Sequence, residues 1–143
     1  MIQPKMLKKY DVPAPRYTSY PTVPYWSESP TSEQWINEAK KAMQAKDTTW
    51  SMYIHIPYCE TLCTFCGCNT TITRNHDREL PYVETLLKEW NLYRERIQEF
   101  SVKPIRQIHL GGGTPTFLSP ASLRLLLEPI LQSVNVKGHF DAS

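Results

Sequence analysis

Long hydrophobic runs are missing from these 143 residues, and no stretch approaches the roughly 20 apolar positions of a membrane-spanning helix. An excess of one charge is missing too. Sixteen basic and fourteen acidic residues leave a net charge of +2, with no basic stripe of the kind that binds nucleic acid. The first ten residues, MIQPKMLKKY, lead into proline instead of an apolar core, which argues against a signal peptide. Cysteine is scarce and unevenly placed, with all four thiols at residues 59–68. A disulfide framework would scatter them to close larger loops, so the clustering points to a metal held in a reducing compartment. The chain is therefore expected in the cytoplasm, with neither a nucleic-acid nor a membrane partner. There is no internal repeat or low-complexity tract, and 41% apolar content suffices for one globular domain but not for two.

Half of the twelve prolines fall in the first 30 residues, where PAPRYTSYPTVPYW interleaves them with Tyr and Trp. That composition predicts an extended arm lying on a surface. Thr31 and Gln34 form a capping box, and Trp35, Ile36, Ala39 and Met43 mark one face of a helix ending near Ala45. Residues 1–48 are thus expected as arm and helix, with residues 49–143 as the core. WSMYIHI at residues 50–56 reads as a strand stopped by Pro57. A second helix is expected to open at Pro81, with Val83, Leu86, Leu87, Trp90, Tyr93 and Ile97 at helical spacing and Glu84 paired with Lys88. IRQIHL at residues 105–110 reads as a second strand running into the turn GGGTPTF. Ser119 and Pro120 open a third helix carrying Leu123, Leu126, Leu127, Ile130, Leu131 and Val134, which Pro129 is expected to kink and Gly138 to end. HFDAS then starts a third strand. Strands alternating with helices imply right-handed βαβ units and a parallel sheet, an α/β fold.

In the motif C59-ETL-C63-TF-C66-G-C68, short spacings let three thiolates converge on one object from a single loop. Thiolates suit both zinc and iron-sulfur clusters. A structural zinc site would need more ligands, and His55 or His76 could supply them. A cubane cluster held by three cysteines would leave one iron open to a small molecule. The GGGTP turn offers open backbone N–H groups that can meet a ligand's carboxylate or amino group, and its glycines permit close approach. Both features follow strands and so lie at the C-terminal edge of the sheet, where α/β proteins build their sites. His55 and His109 lie on the two adjacent strands, either as packed residues or as site residues.

CxxxCxxC resembles the signature of the radical S-adenosylmethionine (SAM) superfamily. YIHIPYCETLCTFCGCNT, IHLGGGTPTF and the arm PRYTSYPT together resemble the oxygen-independent coproporphyrinogen III oxidases of haem biosynthesis, from about Tyr10 onward. The resemblance implies the N-terminal portion of a partial (β/α)6 radical SAM barrel, with about three parallel strands preceded by the arm and helix. It implies that Cys59, Cys63 and Cys66 hold a 4Fe-4S cluster whose open iron chelates SAM. It further implies that Tyr53, Gly112, Gly113 and Thr114 contact SAM, that Phe65 touches a second SAM molecule, and that Cys68 acts near the substrate. The arm would lie near the active site as a lid. The activity implied is decarboxylation of two propionate side chains of a porphyrinogen substrate to vinyl groups, by an enzyme monomeric at full length. Its electron donor and acceptor are not legible in the residues.

Family members are much longer, and the acidic SAM contact of their third strand falls beyond Ser143. The chain is accordingly expected to be a fragment, inactive alone, whose unpaired sheet edge and apolar helix faces promote association. Two other readings start from the same cysteines: a haem chaperone of the radical SAM type, and a small structural zinc module. Tyr53 and Phe65 also have plain readings, as a core aromatic and as a water shield.

Overall fold

The structure, a computed structural model, describes residues 4–11 and 23–143. The RYTSYPT arm at residues 16–22 lies outside the described residues. Two compact units divide the chain, Met1–Glu33 and Gln34–Ser143. The first contains helix α1 (Pro4–Tyr10) and a single 3-10 turn, Val23–Tyr25, after which Trp26 is exposed. Helix α2 (Ser32–Gln44) opens at the boundary, and all but its first two residues belong to the second unit. The division between the compact units therefore falls within the first turn of α2, after Glu33. The cause is packing: Ile36 and Met43 of α2 are buried against Ile97, with Ala39, Trp50 and Phe100 around them.

In the second unit, strands β1 (Trp50–Ile56), β4 (Pro104–Gly112) and β5 (Asn135–Ala142) form a parallel sheet in the order β1-β4-β5. Strand period decides which side chains are covered. Ile54 and Ile56 of β1 and Ile105 and Ile108 of β4 are buried on one face. They pack there with Val83 and Trp90 of helix α3 (Glu79–Arg96) and Leu126 and Ile130 of helix α5 (Pro120–Ser133), the short helix α4 (Glu99–Val102) lying between them in the chain. A full turn or two of helix separates the members of each pair, so each helix turns one stripe to the sheet. Trp50 and Trp90 stack at 5.9 Å, and their ring N–H groups donate to Lys103 O and Ser133 Oγ. The opposite face carries Tyr53, Gln107, His109 and Asp141, all exposed.

Three local features differ from the sequence-based expectation. Helix α3 begins two residues ahead of Pro81. Pro81 thus sits in the first turn, where a backbone N–H would have no helical partner anyway. Helix α5 runs unbroken from Pro120 to Ser133 with Pro129 inside it. The fully buried Leu126 and Ile130 pin both halves to the core and outweigh the lost hydrogen bond. Gly138 does not end that helix; it lies within β5 at φ +74°. Pairing passes from Ile105↔Val136 to Gln107↔Asp141, so β5 bulges out opposite Arg106. The Arg106 guanidinium fills the bulge, donating to Lys137 O at 3.0 Å and His139 O at 3.3 Å. The left-handed backbone at φ +74° is strained for any residue with a Cβ, which is why glycine stands there; the guanidinium above it is the movable end of a flexible side chain.

Candidate metal and cofactor site

Pro57 stops β1 and turns the chain into β2 (Tyr58–Cys59), which pairs in parallel with β3 (Thr71–Ile72). Thr71 N–H donates to Pro57 O at 2.6 Å and Thr73 N–H to Cys59 O at 2.8 Å. The cysteine loop at residues 60–70 is therefore tied shut at its base. Cys59 sits in that base at 8% exposure, whereas Cys63, Cys66 and Cys68 are exposed along the loop. Phe65, between two of them, is 91% exposed. Among the described residues no three His, Cys, Asp or Glu side chains converge closely enough to hold a metal ion. The three expected ligands thus share one loop but not yet one point in space.

The glycine turn meets the base of this loop. Gly113 N–H donates to Ile56 O at 2.7 Å and Thr114 N–H to Tyr58 O at 2.9 Å, while the Thr114 hydroxyl donates to Cys59 Sγ at 3.2 Å. A Cβ on Gly113 would lie 2.7 Å from Tyr58 O and 2.9 Å from Cys59 Sγ. Gly112, at φ +107°, passes the His55 ring with equally little room. The turn thereby brings Gly113 and Thr114 against the first cysteine and Gly112 against the His55 ring. The N–H groups of Gly113 and Thr114 are not open to a ligand, because both are spent on holding the two loops together.

Tyr53 and His109, partners in the β1/β4 register, stack at 5.7 Å on the open face of the sheet. His55 Nε2 lies 2.8 Å from Asn69 O, a pure acceptor, so Nε2 carries the proton and Nδ1 accepts from the Tyr53 hydroxyl at 3.1 Å. His109 Nδ1 pairs with Ser143 Oγ at 2.8 Å. His76 lies between two carboxylates, with Nδ1 2.6 Å from Glu79 and Nε2 3.1 Å from Glu60. Both histidines that could have completed a zinc site therefore have both ring nitrogens engaged.

Glu79 is the one buried carboxylate among the described residues. Burial pushes its pKa up, but hydrogen bonds from the Ser122 side chain, the Ser119 backbone N–H and His76 outweigh this and hold it at about 2. His76 is raised above its ordinary value, first by its bond to Glu79 and then by its bond to Glu60. Tyr82, whose hydroxyl donates to His55 O at 2.6 Å, is raised chiefly by burial. Glu60, Glu79 and Ser119 were not legible as site residues, because 40 positions separate the Glu79–Ser119 contact and no spacing rule links them. The one available signal was Ser119-Pro120 as a helix cap in need of a partner.

No family model matches the chain. The oxygen-independent coproporphyrinogen III oxidase of Pseudomonas aeruginosa is 35% identical over 131 residues, which cover 92% of this chain and 28% of that protein. The protein of the same name from Mannheimia haemolytica is 35% identical over 138 residues, covering 96% of this chain and 90% of the relative. Among solved structures, a coproporphyrinogen III oxidase from Escherichia coli, described as a radical SAM enzyme, superposes with a TM-score of 0.73 at 30% identity, covering 96% of this chain and 29% of that one. The chain thus spans little more than a quarter of the Pseudomonas relative and most of the Mannheimia one.

Proposed function

Because the chain belongs to the oxygen-independent coproporphyrinogen III oxidase family, we propose that it is the cluster-bearing and SAM-binding part of the enzyme that decarboxylates coproporphyrinogen III to protoporphyrinogen IX in the cytoplasm. Its three parallel strands and two covering helices are the opening portion of the radical SAM barrel. The observation that carries the reading is the meeting of Cys59 with the glycine turn, a thiol packed on backbone that has no side chains to keep a ligand away.

Cys59, Cys63 and Cys66 would hold a 4Fe-4S cluster, and the donor set fits. Three thiols come from one short segment, and two of them, Cys63 and Cys66, are exposed to an incoming metal. When bound, such a cluster supplies the electron that splits SAM to an adenosyl radical able to take hydrogen from a propionate side chain. The protein's own part is placement. The N–H groups of Gly113 and Thr114 are engaged with Ile56 O and Tyr58 O, so a backbone contact from these two residues to SAM's amino group would be accepted by their carbonyl oxygens. Tyr53, stacked on His109, presents an aromatic face and a hydroxyl from the open side of the sheet. Phe65, exposed between two of the thiols, would touch a second SAM molecule, and the exposed Cys68 would act near the substrate.

Anaerobic reconstitution with iron and sulfide tests this directly. The expected product is a brown protein with about four irons per chain, whose reduced EPR spectrum changes when SAM is added. Colourless protein that holds zinc and no labile sulfide would overturn the proposal in favour of a structural metal module.

A further inference from the structure

We propose that His76 is a positioning residue for the cysteine loop, bridging Glu60 and Glu79 so that Cys59 is held in place beside the glycine turn. This inference rests on the reading of Cys59, Cys63 and Cys66 as cluster ligands.

Glu60 follows Cys59 directly, at the point where the chain leaves β2 and loses regular structure. From there to Asn69 the backbone has no ladder to hold it. Glu60 is held instead by a side-chain relay. Its carboxylate faces His76 Nε2, His76 Nδ1 faces Glu79, and the other Glu79 oxygen accepts from Ser119 N–H at 2.8 Å. Ser119 in turn caps α5, accepting from Ser122 N–H at 3.2 Å. The anchor of the relay is firm, since Glu79 is 5% exposed and a buried carboxylate must keep its partners.

The His76 ring also lies flat on Phe117, with centroids 4.4 Å apart and planes 9° from parallel. Phe117 is buried in the turn that follows GGGTP. One imidazole therefore touches the cysteine loop, the start of α3 and the segment following the glycine turn. Each ring nitrogen faces a carboxylate oxygen, so each must donate. The ring is half-exposed, so its pairing with Glu60 adds little to global stability. Its effect is on geometry. It fixes the residue after the first thiol, and hence the direction in which the loop departs.

Site-resolved alkylation of the reduced, metal-free chain with iodoacetamide tests the assignment without any cluster. In the wild type Cys59 should react slowly and Cys63, Cys66 and Cys68 quickly. His76→Phe keeps a flat ring on Phe117 and loses both donors. Cys59 should then react about tenfold faster, the scale set by losing a hydrogen bond to a charged group, with the other three thiols unchanged. His76→Arg, planar with donors on both sides, should restore the slow rate. Glu60→Ala, a change at an exposed position that removes the acceptor, should speed Cys59 alkylation in the same way and covers the case in which His76→Phe does not fold. An unchanged Cys59 rate in both His76→Phe and Glu60→Ala overturns the proposal. So does a parallel rise at all four thiols with a lowered melting midpoint that His76→Arg fails to reverse. In a parallel arm, reconstituted His76→Phe should lose iron to a chelator faster than wild type. A wild type that binds no iron would overturn the ligand reading alone, because the alkylation result stands without it.

Discussion

At Gly113 the two loops of the site are so close that a single methyl group separates function from strain. A Cβ there would press on Tyr58 O, which is backbone and cannot swing aside, and on Cys59 Sγ. Gly113→Ala should therefore push β2 and the glycine turn apart, at a cost of about 1–3 kcal/mol, measurable by urea unfolding of the metal-free chain. The variant should also expose Cys59 to alkylation. The spacing of the cysteines and the run of three glycines made both loops legible as chemistry before any fold was known. Their contact was not legible. Thr114 and Cys59 are 55 residues apart, and only the parallel register of β1 with β4 brings their strand ends side by side.

At the scale of elements, the starts of α3 and α5 share one buried carboxylate, which makes their junction sensitive to acid. Glu79 titrates at about 2 in the folded chain against 4.5 as a free group. Its contribution is fully present above the unfolded value and is lost as pH falls through the folded one. His76, raised above 6.5, has the opposite sign: its contribution is present below that value and is lost as pH rises through the raised one. Denaturant midpoints of the metal-free chain should accordingly fall between about pH 5 and about pH 2, and Glu79→Gln should flatten that limb. The helices and strands themselves were largely readable, because apolar residues recur at helical spacing in α3 and α5 and β-branched or aromatic residues fill β1. The errors lay where tertiary packing overrides local rules. Leu126 and Ile130 carry α5 through Pro129, and Arg106 turns Gly138 from a helix stop into the floor of a strand bulge.

At the largest scale, the described residues of the second unit cover the sheet on one face only. Tyr53, Gln107, His109 and Asp141 look outward from the other, and among the described residues β1 and β5 each have just one partner strand. An open parallel sheet with two bare edges is a template for further pairing. Sedimentation of the isolated chain should show concentration-dependent association, weakened by Lys or Pro substitutions on the outer edge of β5. A monomer with one cooperative unfolding transition at all concentrations would contradict this. The two-residue ladder between β2 and β3 has a further consequence, for the kinetics of loading. By knotting residues 57–59 to 71–73 it turns the cysteine segment into a macrocycle whose ring is already closed. The entropy of loop closure is spent during folding and not during metal capture. The exposed thiols thus search a small volume tethered to Cys59, at high effective concentration, and loading becomes a local event that leaves the sheet beneath it unchanged.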